Sequence, residues 1–558
     1  MSINISESQL GVRVDDLKNS CLFQSQHDFK DDFVVSSQCT SCGQLIVGPS
    51  AKCTKCSCVF HKSCCQHVFT PCIPKEADGH LQIPAPTFHK KDLKNGQHSF
   101  YKKSGALGHF CPVCFELLIK RYQCAICGMN VHKKCIKKLA IPCRPIFTLK
   151  GSHDTHWFVQ NIKNRGNGLC VVCGDTSSAA HYVCAWCGLC VDPKCIDKVP
   201  NVCFRGRLGK FVVPPRLVEP SGDWYKATND KSVEPMIFFI NKKSGGHFGS
   251  DIFRQAIGIF NPTQVYNVFW GYKKPFEYIK DYGNDFIAVI CGGDGTVGWV
   301  MDELKKAGLR PKIYVIPLGT GNDMSISTGW GGGYDGQDIY DLLPQVSDAS
   351  VHEIDRWKVV VGDATEPLHV FNNYYSIGID ALIALTFHTK RNANPEKFKS
   401  PLANKIQYVM CSTEHLLPPE VKLYTTLHLK VDGRDVELPK IEGLALINLP
   451  TYGGGNKFWP SVSLAEMAYG FHDLHIGDGE IEVVGFSSII HLGACVSGTG
   501  ASKPIRIAQG KEIEIQLDED VPCQYDGEPY LQTKGVLKIT LHEKVRFVVK
   551  NSFPVNSY

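Results

Sequence analysis

Eighteen of the chain's 26 cysteines recur in one pattern used three times before residue 205, and no other feature limits the fold so strongly. The first copy reads His27, Cys39, Cys42, Cys53, Cys56, His61, Cys64 and Cys72. The second reads His98, Cys111, Cys114, Cys124, Cys127, His132, Cys135 and Cys143. The third reads His156, Cys170, Cys173, Cys184, Cys187, Asp192, Cys195 and Cys203. All three close alike: C-x2-C, four residues, a polar residue, two residues, Cys, seven residues and a last Cys. Disulfides would need an oxidising compartment, and the opening run MSINISESQLGVRVDDLKNS lacks the basic start and apolar stretch of a secretory signal. Repeated CxxC pairs with intervening His therefore read as tetrahedral Zn2+ sites. Modules this small have too little apolar core to fold unaided, so the metal is expected to be structural.

A chain of 558 residues exceeds one hydrophobic core and predicts two to four domains. Its charge is unevenly spread: residues 1–205 hold 25 Lys and Arg against 14 Asp and Glu, the remainder 35 against 41. A basic arm on a slightly acidic body points to an anionic surface as partner, membrane or nucleic acid. No segment reaches the roughly 18 apolar residues of a membrane-spanning helix. EVVGFSSIIHLGACVSG comes nearest and is broken by Ser, His and Gly. The expectation is a cytoplasmic protein recruited peripherally to membranes, without a transmembrane segment or signal peptide.

Past a proline-bearing linker at 208–235, the texture changes to short apolar runs alternating with helical periodicity. MIFFI (236–240), FIAVI (286–290) and KIYVIP (312–317) read as strands, whereas Val297, Val300, Met301 and Leu304 recur at helical spacing. This alternation predicts an α/β domain with a largely parallel sheet and a ligand site at the carboxyl ends of its strands. Gly-rich loops occupy three such ends, at 241–249, 291–296 and 317–323. Taken alone, CGGDGT is a tight turn with Asp294 or Thr296 as helix cap. Three such loops together read as a phosphate cradle, because glycines admit an anion to backbone N–H groups at a helix N-terminus. No GxxxxGK[ST] is present, which excludes a Walker-type loop. Beyond residue 415 the pattern turns to strands; TTLHLKVDGRDVEL alternates, turns at Asp432-Gly433 and returns.

The cysteine pattern resembles the phorbol-ester/diacylglycerol-type zinc domain of protein kinase C, here as modules at 27–72, 98–143 and 156–203. The resemblance implies two zinc ions per module on interleaved ligands. His27 would join Cys53, Cys56 and Cys72, while Cys39 and Cys42 join His61 and Cys64. The second module would pair His98 with Cys124, Cys127 and Cys143, and Cys111 and Cys114 with His132 and Cys135. The third would use His156, Cys184, Cys187 and Cys203, then Cys170, Cys173, Asp192 and Cys195. Asp192 departs from the family's histidine; a carboxylate also binds zinc, with weaker or Cys190-assisted coordination as the alternative. The Pro-Thr-Phe and Gln-Gly of lipid-binding members are missing, with VSSQC and PSAKC in their places in the first module. None of the three is therefore expected to bind diacylglycerol tightly. They read as protein-contact or basic membrane-surface modules, the second being the most basic.

The second half resembles the diacylglycerol kinase family through FFINKKSGG, CGGDGTVGWV, PLGTGNDMSISTGWGGGY, EIDRWKV, NNYYSIGIDALIALTFHTKR, LPTYGGGNKFWP, DGEIEVVGF and CQYDGEPY, in family order. With three zinc modules the arrangement is theta-like. The resemblance implies a catalytic α/β domain at 236–365, an all-β sandwich accessory domain at 366–550, and ATP-dependent phosphorylation of 1,2-diacylglycerol to phosphatidic acid, attenuating diacylglycerol signalling. ATP would contact Asn241, Ser244, Gly245, Gly246, Gly292, Gly293, Gly295, Thr296, Gly319, Thr320, Gly321, Asn322 and Asp323. Asp294 would be the essential carboxylate, as base or through Mg2+, with Glu528 as the rival base and Asp526 and Asp478 organising metal and water. Expected partners are diacylglycerol, an anionic membrane surface and proteins met by the zinc modules, and no nucleic acid. Lys242 stands where the family has Pro, and Met324-Ser325-Ile326 where it has Leu-Ala-Arg, which removes a phosphate contact. A catalytically inactive zinc-module adaptor and a kinase for a sphingoid base or ceramide are the competing readings.

Overall fold

The computed structural model describes residues 28–38, 45–54, 59–67, 98, 100–103, 110–124, 127–139, 141, 143–147, 154–160, 170–174, 182–199, 202–221, 224–246, 248–268, 276, 279–393, 422–497 and 502–551. They fall in two compact units: Met1–Met236 with Arg254–Tyr266 and Trp270–Tyr282, and Ile237–Phe253 with Asn267–Phe269 and Gly283–Tyr558.

The first unit repeats one small fold three times. Each copy is a three-stranded antiparallel sheet followed by a single 3-10 turn. The strands are Phe29–Gln38, Leu45–Cys53 and Val59–Phe60; then Phe100–Lys103, Arg121–Cys124 and Asn130–Val131; then Phe158–Gln160, Tyr182–Cys184 and Cys190–Val191. The expected linker is not free chain. Its Leu208, Phe211, Val212, Val213 and Val218 are buried, and Val218–Ser221 pairs with Trp224–Ala227 as a hairpin. Apolar side chains at this density carry the segment into the core despite its prolines.

Polar side chains lock this unit together. Buried Arg144, next to Cys143, donates to the carbonyls of Ala185 (2.7 Å), Ile257 (3.2 Å) and Phe260 (2.7 Å). Its guanidinium lies 3.8 Å over the Trp186 ring. Ile257 lies in the last turn of the helix Phe248–Ile259, where carbonyls lack intrahelical partners and a cation is favoured. Asn261 donates to Ile146 O (2.8 Å), and Gln264 donates to Phe211 O (2.7 Å) and Met236 O (2.8 Å) while accepting from Val213 N (2.7 Å).

The second unit is built on two sheets. Its elements in chain order are β1 (Met236–Ile240), α1 (Phe248–Ile259, whose residues from Arg254 on belong to the first unit), β2 (Ile287–Gly292), α2 (Asp294–Lys306), β3 (Lys312–Pro317), α3 (Asp323–Ser327), β4 (Ser350–Val361), β5 (His369–Phe371), β6 (Tyr374–Gly378) and α4 (Ile379–Ala393). There follow β7 (Leu427–Val431), β8 (Arg434–Val436), β9 (Gly443–Ile447), α5 (Leu464–Ala468), β10 (Ile481–Phe486), α6 (Ile489–Val496), β11 (Ile505–Gly510), β12 (Glu512–Leu517), β13 (Val521–Tyr525), β14 (Glu528–Gln532) and β15 (Gly535–Val549). The larger sheet contains the run β1-β2-β3-β15-β12-β7-β8, with β2 and β3 parallel and every residue of β2 buried, as expected where both faces of a parallel sheet are covered. The smaller sheet, β11-β10-β9-β6-β13-β14, is antiparallel throughout.

Alternation explains how the sheets stack. Tyr375, Ile377, Leu444, Leu446, Ile481 and Val483 of the smaller sheet meet Trp357, Val359, Leu429, Ile515, Leu537 and Ile539 of the larger in one core. The intervening Ala445, Ile447, Val484 and Phe486 point the other way, onto Ile379 and Ile383 of α4 and Ile489 and Leu492 of α6. The 365/366 division expected from sequence does not divide the larger sheet. β15 pairs with β4 from Ser350↔Val549 to Val361↔Leu537, with β12 along its first half, and with β3 at Ile313↔Phe547. The last strand thus joins the parallel strands to the β-sandwich.

Arg144→Ala leaves three carbonyls without their donor. It should lower the stability of the first unit by about 2–4 kcal/mol, read as an earlier denaturant midpoint in Trp fluorescence.

Candidate active site and metal centres

Among the described residues, four groups bring four potential metal ligands within 4.8 Å of one another: His98, Cys124, Cys127, Cys143; Cys111, Cys114, His132, Cys135; His156, Cys184, Cys187, Cys203; and Cys170, Cys173, Asp192, Cys195. Tetrahedral zinc with Zn–S of about 2.3 Å separates its sulfurs by about 3.8 Å. Cys124 and Cys143 Sγ are 3.6 Å apart, and Cys184 and Cys203 Sγ 3.8 Å apart. His Nδ1 atoms lie 3.2–3.4 Å from Cys127, Cys114 and Cys187 Sγ. The far nitrogens of His98 and His132 meet the carbonyls of Ile141 (2.8 Å) and Leu117 (3.2 Å), which orients Nδ1 as the ligand. Asp192 Oδ2 stands 3.4 Å from Cys173 Sγ, and Cys190 is buried outside the group. The donor set fits Zn2+ at all four places. In the first module, His27, Cys39, Cys42, Cys56 and Cys72, and the side chain of Cys64, lie outside the described residues; Cys53 is buried and His61 half-buried.

In the second unit the three Gly-rich loops converge. Gly293 and Gly319 meet back to back: a Cβ on Gly319 would fall 2.4 Å from Gly293 Cα, so neither position admits a side chain. Asn241 bridges two loops through Nδ2 to Thr296 Oγ1 (3.0 Å), and its carbonyl accepts from Ser244 N (3.1 Å). Gly245 faces the Leu318 carbonyl, and Gly292 faces Thr296. Asn322 is spent on the protein's own backbone, accepting from Gly319 N (3.0 Å) and donating to the carbonyls of Gly319 and Gly332 (2.8 Å each). Gly246, Gly295, Thr320 and Gly321 are exposed.

Asp294 opens α2 and is buried. Its Oδ2 accepts from Asp323 N (2.9 Å) and Asn373 Nδ2 (2.8 Å), its Oδ1 from Met324 N at 3.3 Å. Burial, then the nearby Asp323 and Asp526 carboxylates, push its pKa up to about 7. Asp323 accepts from Gly454 N (2.9 Å) and Gly455 N (3.0 Å). Asp526 accepts from the N–H groups of Asn372 (2.8 Å), Asn373 (2.7 Å) and Tyr374 (3.2 Å) and from Asn372 Nδ2 (2.9 Å). Asp526 and Gly527 form the hairpin turn between β13 and β14 with φ of 47° and 87°, a type I′ geometry. Glu528 follows it, exposed.

Three family models match these regions: "Diacylglycerol kinase catalytic domain" over residues 235–359, "Diacylglycerol kinase accessory domain" over 370–529, and "Phorbol esters/diacylglycerol binding domain (C1 domain)" over 98–146. The chain carries the catalytic and accessory domains of the diacylglycerol kinase family. Similar proteins include Probable diacylglycerol kinase 3 of Caenorhabditis elegans, 28% identical over 525 residues, covering 83% of this chain and 65% of that protein. Diacylglycerol kinase iota of Homo sapiens is 29% identical over 564 residues, covering 85% and 52%, and the human zeta protein 28% over 568, covering 86% and 59%. The chain thus spans between about half and two thirds of the length of these relatives.

Within the diacylglycerol kinase catalytic domain, Asp294, Asp323 and the Gly-rich loops form one constellation, and the accessory domain supplies Asp526. Asp478 keeps other company. Its Oδ1 accepts from Glu480 N (2.9 Å), its pKa is raised first by burial, and its electrostatic neighbours are Glu480, Asp355 and His472. The sequence reading passed over Asn372, Asn373 and Arg356. Arg356 is buried, donating to Asn372 Oδ1 (2.7 Å), Glu543 (2.8 Å) and Asp302 (2.6 Å). An Asn-Asn pair ahead of an apolar strand was the available signal, and it reads equally as a turn.

Zinc analysis of the purified chain should find at least four ions, two in each of the second and third modules. Chelation should change the fluorescence of Trp157 and Trp186, which neighbour ligands His156 and Cys187.

Proposed function

We propose that the chain transfers the γ-phosphoryl group of ATP to the free primary hydroxyl of a 1,2-diacylglycerol, giving phosphatidic acid and ADP. The observation that carries this reading is a buried carboxylate, Asp294, at the meeting of three Gly-rich loops inside a diacylglycerol kinase catalytic domain. The hydroxyl oxygen forms a bond to the γ-phosphorus, the β–γ bridging P–O bond breaks, and the hydroxyl proton passes to a carboxylate. Asp294 takes that proton on Oδ1, the oxygen with the single long hydrogen bond. The exposed N–H groups around Gly246, Gly295, Thr320 and Gly321 receive phosphate oxygens, and the first turn of α2 adds its dipole. The remaining glycines, Asn241 and Asn322 hold the loops in register. Mg2+ neutralises charge on the phosphates when bound. The zinc modules act as structural and docking elements toward proteins or an anionic membrane. Among the described residues no helix is long and apolar enough to cross a membrane.

Glu528 supports a second assignment of the base, because its carboxylate is exposed two residues from Asp526. Transfer of labelled phosphate from ATP to diacylglycerol in mixed micelles, with sphingosine and ceramide as competing acceptors, decides substrate and chemistry. Asp294→Asn should lose about 10²–10⁴-fold in kcat; the same loss in Glu528→Gln with Asp294→Asn active would move the base to Glu528. Absence of phosphatidic acid from zinc-loaded, folded protein would favour the adaptor.

Because the pKa of Asp294 is raised to about 7, its base form grows as pH rises. Activity should therefore climb between pH 6 and 8, and Asp294→Glu should shift that limb.

A further inference from the structure

Asn373 is buried at 1% exposure between two carboxylates that the site depends on. Its backbone N–H donates to Asp526 Oδ1 (2.7 Å) and its side-chain amide to Asp294 Oδ2 (2.8 Å). An ionised carboxylate only accepts, so the amide nitrogen must face Asp294 and the amide oxygen must turn away. That oxygen, Asn373 Oδ1, is buried and has no hydrogen-bond partner. The neighbouring Asn372 ties the same Asp526 to buried Arg356. A continuous series of hydrogen bonds therefore runs from the Arg356 guanidinium through Asn372, Asp526 and Asn373 to Asp294.

Resting on the reading of Asp294 as the base, we propose that Asn373 is a positioning residue for phosphoryl transfer. Its amide ties down Asp294 Oδ2 and leaves Oδ1 as the oxygen that receives the proton. The backbone donors of Asp323 and Met324 come from one side, along the first turn of α3. Without the amide, Oδ2 keeps only the Asp323 N–H, and the carboxylate loses one of the three donors that fix its plane. The titratable groups facing Asp294 are Asp323 from α3 and Asp526 from the β13–β14 turn, both carboxylates. With two acids around it, a hydrogen bond from a neutral amide joins the backbone N–H groups of Asp323 and Met324 in favouring ionised Asp294 without adding charge.

The test uses the full zinc-loaded chain, with Asn373→Asp and Asn373→Ala followed as kcat and KM for ATP across pH 5.5–9. Asn373→Asp keeps the shape but sets a third acid against Asp294. Its acidic limb should move to higher pH, with kcat reduced by about 10²-fold and KM for ATP little changed. Asn373→Ala removes the amide without adding charge and should show a smaller alkaline shift with the same kcat-against-KM split. Folded Asn373→Ala with the wild-type profile, or a pH-independent fall in both variants that follows lost thermal stability, overturns the proposal. Asp294→Asn is run in parallel: if it stays active, the reading of Asp294 fails, whatever Asn373 does. If it is inactive while the Asn373 variants keep the wild-type limb, only the positioning role fails.

Discussion

Capture of backbone N–H groups by the carboxylates of buried Asp294 and Asp323 and half-buried Asp526 is the interaction on which the candidate site depends. Asp294 takes the N–H groups of Asp323 and Met324, Asp323 those of Gly454 and Gly455, and Asp526 those of Asn372, Asn373 and Tyr374. Each acid binds the first turn or loop of the next segment, so three side chains fasten loops from both sheets around one point. Among the described residues, no Lys or Arg forms an ion pair with any of the three. A charged hydrogen bond of this kind is worth about 1.5–3 kcal/mol and leaves an uncompensated cost when broken, so the loops hold their register only while these acids stay bonded.

The zinc-module unit solves a related problem with a cation. Arg144 sits one residue beyond a cysteine of one metal group and bonds the carbonyl of Ala185, which lies between two cysteines of another. Its other donors close the end of a helix at Ile257 and Phe260. Metal-ligand geometry in two modules therefore fixes where a single guanidinium lies. The modules and the segment 254–266 are parts of one packed unit, although the sequence suggests beads followed by a linker. A proline-bearing stretch reads as free chain until the burial of Phe211, Val212 and Val213 and the bonds of Gln264 are known.

Features governed by local chemistry were legible in the sequence. Cysteine spacing marked the zinc modules, the resemblance to the zinc-domain family implied the ligand groups that the second and third modules show, apolar runs marked β1, β2 and β3, and Asp432-Gly433 marked a turn whose φ values, 49° and 76°, require such residues. Features set by distant pairing were not. β15 is an amphipathic run like several others, and nothing in its residues says that it joins β3, β4 and β12. The glycines show the same limit. Gly293 and Gly319 exclude a side chain because two loops touch, while Gly295 has open space before it. Both kinds fit one Gly-rich pattern, and only the fold separates loop packing from ligand access.

An acidic centre is an unusual place to receive a polyphosphate, and the geometry shows how the two are compatible. Asp526 has four donors on its two oxygens, enough to occupy a carboxylate's lone pairs, so its charge is spread into backbone dipoles. Asp323 is similarly engaged by Gly454 and Gly455. Asp294 alone keeps an oxygen with one long bond, and its pKa of about 7 places it between charged and neutral near physiological pH. The same two neighbours that raise that pKa also fix the loops that hold Asp294. The features that disfavour a third charge therefore make it a group that can accept a proton and release it again.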